Sequence, residues 1–117
     1  MDCGQERAIN AAQAAARKKA LDIIVLDLKG IFPVADYFVV CSGRSTAQLA
    51  AIVREVEDEL KKHSDNDGFY RRQGSPESGW ILLDNGDVVI HIFSEEAREF
   101  YDIERLWGDG RVIMESS

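Results

Sequence analysis

Two nearly unbroken apolar runs, Asp22–Leu28 and Asp36–Cys41, constrain this chain more than any other feature. Continuous β-branched and apolar residues, without alternation, suit strands covered on both faces. Helices must therefore pack over those strands, or too much apolar surface would meet water. Gly30 and Pro33 break the chain between the two runs and mark a connection.

The rest of the chain offers the pieces such a sheet needs. From about Glu6 to Lys19 the sequence is alanine-rich, with Ile9, Ala12, Ala16 and Ala20 at helical spacing, and Arg17, Lys18 and Lys19 suit the negative end of a helix dipole. Ser45 and Gln48 form a capping box before a second helix whose apolar stripe is Leu49, Ile52, Val53, Val56 and Leu60. Phe69–Gln73 reads as a weaker edge strand. Trp80–Leu83 and Val88–Phe93 flank Asp84-Asn85-Gly86-Asp87, and Asn-Gly between apolar runs predicts a hairpin with both central residues at positive φ. Ser94 caps a third helix, with Glu95 and Glu96 in its first turn and Gly108 as its stop. Residues 108–117 read as a loose tail. The predicted order is α-β-β-α-β-β-β-α: one α+β (α/β) domain spanning 1–117, with a mixed sheet and helices packed on it.

Its 117 residues, 45 % of them apolar, support one core without metal or disulfide staples. The two cysteines, Cys3 and Cys41, form no disulfide framework, which favours a reducing compartment. Nothing in Met1–Arg7 resembles a signal peptide, Asp2 and Glu6 argue against organellar targeting, and the apolar runs are too short to span a bilayer. A cytoplasmic protein with no membrane partner is the expectation.

The net charge is −7, and its distribution is uneven. Glu77 to Asp109 holds nine acids and two bases, a net −7, while the other residues carry twelve of each sign. The same stretch holds Trp80, Trp107 and Tyr101. Large aromatics framed by charge suit an interface core with a polar rim, although buried tryptophans under a solvated acidic face would look the same in sequence. An acidic chain repels phosphates, so a basic protein is the better partner and direct nucleic-acid binding is not expected.

Sites for chemistry are poorly supported. Asp22 and Asp27 flank the first strand, and Asp84 and Asp87 the hairpin turn, but such aspartates commonly cap turns. No paired Asp-x-Asp on one strand suggests a metal. His91, mid-strand, should share a face with Val89 or Phe93 and suits a structural role. Neither His91 nor His63 has ligands at zinc spacing. Ser42–Ser45 could cradle an anion at a helix start, but a turn with a capping box is the favoured reading. No catalytic residue, cofactor or metal is assigned.

Four blocks in order, Ala20–Ile23 with Leu26-Asp27, Ala35–Ser45, Trp80–Phe93 and Arg98–Trp107, together resemble the ribosomal silencing factor family, also called Iojap. The resemblance runs from about residue 6 to Trp107. It implies a nucleotidyltransferase-like fold with a mixed five-stranded sheet and no enzymatic activity. It implies binding to the large ribosomal subunit through its ribosomal protein fourteen (uL-fourteen), a steric block of subunit joining when nutrients are scarce, and a homodimer when free. The family's contact surface maps onto Trp80 and Tyr101, with Leu82, Glu95, Glu99, Asp102 and Glu104 placed by proximity. The alternative is a nucleotidyltransferase using Asp22, Asp27 or Asp84 with Mg²⁺. It suffers because Phe69–Gln73 offers Arg71 and Arg72 but no carboxylate.

Overall fold

The computed structural model describes residues 3–31, 35–62, 71–101 and 110–116. The elements run α1 (Cys3–Arg17), β1 (Leu21–Asp27), β2 (Tyr37–Gly43), α2 (Thr46–Lys62), β3 (Arg71–Ser75), a 3₁₀ turn (Pro76–Ser78), β4 (Trp80–Asn85), β5 (Val88–Ser94), α3 (Glu95–Tyr101) and β6 (Arg111–Ser116). The predicted order of helices and strands is present, with one strand added. The fold is α+β around a mixed six-stranded sheet in the order β3-β4-β5-β2-β1-β6. Among the described strands only β2 and β5 pair in parallel; the other neighbours are antiparallel.

The sixth strand corrects the expectation of five strands and a loose tail. Residues Arg111–Ser116 pair with the edge of β1, and Arg111 donates to Asp27 at 2.9 Å. Their apolar run, Val112–Met114, is short, and its partner is a strand more than 80 positions earlier, which local reading does not see.

β2 is buried at every residue, as its unbroken apolar run requires. β1 is less covered: Asp22 is exposed and takes φ 49 at a register shift between Leu21 and Ile24. On one face of the sheet, α1 and α2 pack over Ile23, Val25, Val39, Cys41, Ile81, Leu83, Ile90 and Ile92. The buried stripe of α1 is Ala8, Ala11, Ala12 and Ala15 with Ala14, whereas Ala16 is exposed and Ile9 half-buried. The anticipated phase through Ile9, Ala12 and Ala16 is therefore corrected. In a helix so rich in alanine, side-chain size does little to mark which face is apolar. The five buried methyl-sized side chains let α1 approach α2 and the sheet closely.

The stripe of α2 is buried as expected from its period, and Glu59 is buried beside it. Arg17 at the end of α1 donates to Glu59 at 2.6 Å and to Glu55 at 3.1 Å, which further raises its guanidinium pKa. The α1 terminus is closed by paired backbone bonds, Ala20 N to Ala15 O and Lys19 N to Ala16 O, with Lys19 at φ 64. That is a Schellman closure with lysine in the left-handed position usually held by glycine. Gln48 binds the same corner: its Nε2 donates to the carbonyls of Lys18 and Lys19.

Candidate functional site: the Trp80 face of the sheet

The face opposite α1 and α2 carries two of the residues singled out for contact, Trp80 and Leu82. Period-two alternation on β4 buries Ile81 and Leu83 under the helices and turns Trp80 and Leu82 to the other side, both half-buried. Leu82 packs with Leu26, Phe38 and Val89; Trp80 packs with Val40, Phe93 and Ala97. The sequence question of whether Trp80 is core or surface has a mixed answer. One side of the indole is packed, and the residue still reaches solvent.

Local chemistry fixes where Trp80 sits. Ser75 caps the 3₁₀ turn with a reciprocal box to Ser78, and Gly79 ends it at φ 81. Ser94 N donates to Gly79 O at 2.8 Å, tying the start of β4 to the end of β5. Gly74, at φ 81, lies so close to β4 that a Cβ would collide with the Trp80 carbonyl oxygen. Only glycine fits there.

The hairpin differs slightly from its sequence reading. Asn85 pairs with Val88, so Gly86-Asp87 is the two-residue loop, and of the two only Gly86 has positive φ. A single positive φ at the first loop residue is the II′ requirement rather than I′. Asp84 accepts from Gly86 N at 3.0 Å.

Behind Trp80 lies a row of rings. Trp80 is directly opposite Phe93, and Leu82 opposite His91. The Trp80, Phe93 and His91 planes lie within 6° of one another, with centroids 5.9–6.5 Å apart. Phe38, on β2, meets His91 at 4.9 Å and 45°. His91 thus shares a face with Phe93, as its period predicts. It is only 5 % exposed, and burial pushes its pKa down to about 4, so the ring is neutral at neutral pH. A buried neutral imidazole is a structural group; sequence reading did not anticipate its place in the ring row.

α3 starts beside Trp80. Ser94 Oγ accepts from Ala97 N at 3.1 Å, confirming the cap. Glu95, Glu96 and Glu99 are exposed, and Glu95 lies 3.9 Å from Arg44. Arg98 turns inward and donates to Leu21 O and Ser42 Oγ at 3.4 Å each. Tyr101 ends α3, but its side chain, with Asp102, Glu104 and Trp107, lies outside the described residues. Of the anticipated contact set, Trp80 and Leu82 share one sheet face, Glu95 and Glu99 are exposed on α3 with Glu95 beside Arg44, and the side chains of the other three lie outside the described residues.

The Ser42–Ser45 turn is a cap, as favoured. Ser45 Oγ accepts from Gln48 N at 3.1 Å, and Gln48 Oε1 accepts from Arg44 N at 2.6 Å, one residue before the cap itself. The adjoining cleft of about 360 Å³ is also lined by Glu77, Glu95 and Glu96, which disfavours an anion. Asp22 and Asp27 lie toward opposite ends of β1, and Asp84 is on β4, three strands away in the sheet. Among the described residues no group of three or more acids, histidines or cysteines is placed to hold a metal. Cys41 is fully buried, and desolvation pushes its thiol to about 12, so it is a packing residue. No described helix is long and apolar enough to cross a membrane.

Residues 3–117 match the sequence profile described as "Ribosomal silencing factor during starvation". The chain belongs to the ribosomal silencing factor family. A ribosomal silencing factor of Bacillus subtilis is 45 % identical over 101 residues, covering 85 % of this chain and 82 % of that protein. The chloroplastic Iojap protein of Zea mays is 33 % identical over 91 % of this chain, which spans 45 % of that longer protein. A crystal structure from Chromobacterium violaceum superposes with a TM-score of 0.83 at 31 % identity, covering all of this chain and 94 % of the other. The ribosomal silencing factors are named for regulation rather than catalysis, consistent with a site built of packed aromatics and surface acids.

Proposed function

We propose that this chain is a translational repressor of the cytoplasm that docks on the large ribosomal subunit through ribosomal protein fourteen (uL-fourteen). Its bulk then sterically blocks joining of the small subunit when nutrients are limiting. The observation that carries this reading is half-exposed Trp80, packed against Ala97 of α3, a short helix whose Glu95, Glu96 and Glu99 are exposed. An apolar, aromatic centre with a charged rim suits protein docking, and its negative sign suits a basic protein rather than RNA. Family membership supplies the ribosome. The rest of the contact set in this proposal is Tyr101, Asp102 and Glu104, and the free protein is a homodimer. On this reading any likeness to nucleotidyltransferases stops at architecture, since Asp22, Asp27 and Asp84 are spread over the sheet.

Co-sedimentation with purified ribosomal subunits tests the proposal. The protein should migrate with large subunits and lower the yield of joined ribosomes when small subunits are added. Trp80→Ala, shown folded by circular dichroism, should lose both effects. Unchanged subunit joining at saturating protein would overturn the reading.

A further inference from the structure

We infer that His91 is a positioning residue for the docking face: its ring, with Phe93, holds the Trp80 indole in one orientation for a protein partner. This deepens the proposed docking role of Trp80 and rests on it.

The argument begins with register. Phe93 lies directly across from Trp80, and His91 lies two residues further along the same face of β5. Directly opposed and diagonal neighbours are the pairs that touch in a sheet when the side chains are large. All three rings share one plane direction to within 6°. Offset parallel stacks at such separations are favourable, and they resist rotation of any one ring. Phe38 backs His91 from the neighbouring strand, and Val40 and Ala97 pack with Trp80 and Phe93. The indole therefore rests on a support that extends over three adjacent strands, β4, β5 and β2.

Histidine is a compact ring for such a place, and burial keeps it uncharged. Trp80 is half-buried, so an indole held still behind presents a fixed remainder in front. An anchor side chain that is already ordered loses less freedom on binding, and affinity rises accordingly.

The test compares His91→Leu, which fills the space without a ring, with His91→Phe, which restores a ring. Both are made in a Trp107→Phe background, leaving Trp80 as the single tryptophan. Circular dichroism and urea melts establish that each variant is folded. Time-resolved fluorescence anisotropy should show faster local motion of Trp80 in His91→Leu and a return to the parent value in His91→Phe. Binding to large ribosomal subunits should weaken about tenfold in His91→Leu and recover in His91→Phe. Unchanged Trp80 anisotropy in folded His91→Leu would overturn the inference, as would failure of His91→Phe to restore it. The two claims fail separately. If Trp80→Ala leaves subunit binding intact, the docking reading is wrong; the anisotropy comparison still decides whether His91 orders the indole.

Discussion

His91 is buried among rings, and its burial has a consequence that pH can read. Burial lowers its pKa from 6.5 to about 4. The unfolded chain therefore binds a proton more readily between those values, and stability falls as pH drops through that window. The contribution is fully present above pH 6.5 and lost progressively toward pH 4, a change on the order of 3 kcal/mol. Urea melts at pH 7 and pH 4.5 should show the loss, and His91→Phe should remove much of that slope. Gly74 makes a different demand. Alanine there brings a Cβ onto the Trp80 carbonyl and forces a side chain into positive φ. Gly74→Ala should destabilise by more than about 2 kcal/mol in the same assay and disturb Trp80 with it. Lys19 is the converse case, since its φ of 64 is a glycine conformation already occupied by a side chain. Lys19→Gly should raise stability by roughly 0.5–1 kcal/mol, read as a higher urea midpoint.

Among the elements, the corner joining α1 to α2 shows how one side chain can serve two helices. Gln48 caps its own helix through Arg44 N and closes α1 through the carbonyls of Lys18 and Lys19. Gln48→Ala should cost about 1–2 kcal/mol, measured by thermal unfolding. The capping box of α2 was legible from Ser45 and Gln48; the reach to α1 was not, because it depends on which helices pack side by side. The strands follow the same division. β2, β4 and β5 were readable from local pattern: an unbroken run, and two apolar runs flanking an Asn-Gly signal. β6 was not, since its apolar run is only Val112–Met114 and its place is decided by the open edge of β1. The phase of α1 was also hidden, because a helix made largely of alanine has nearly equivalent faces until a neighbour chooses one.

At the scale of the whole molecule, the charge that sequence placed between Glu77 and Asp109 is divided by the fold. Asp84 serves the hairpin turn, and Asp87 faces Arg7 at 3.4 Å, whereas Glu77, Glu96 and Glu99 face solvent. Docking on a basic protein should therefore weaken as salt rises, because exposed charges are screened within about 10 Å at 0.1 M. Sedimentation with large subunits at 50 and 300 mM salt should show that loss, mainly in the association rate. Sequence alone determined the family, most of the elements and the uneven charge, because each is written in local pattern or in ordered motifs. The tertiary structure decided which face of α1 is buried, that the chain's last stretch completes the sheet, and that Trp80 stands half-exposed on a row of stacked rings. Those outcomes depend on contacts between residues far apart in the chain, and local periodicity carries no information about which distant partner will be present.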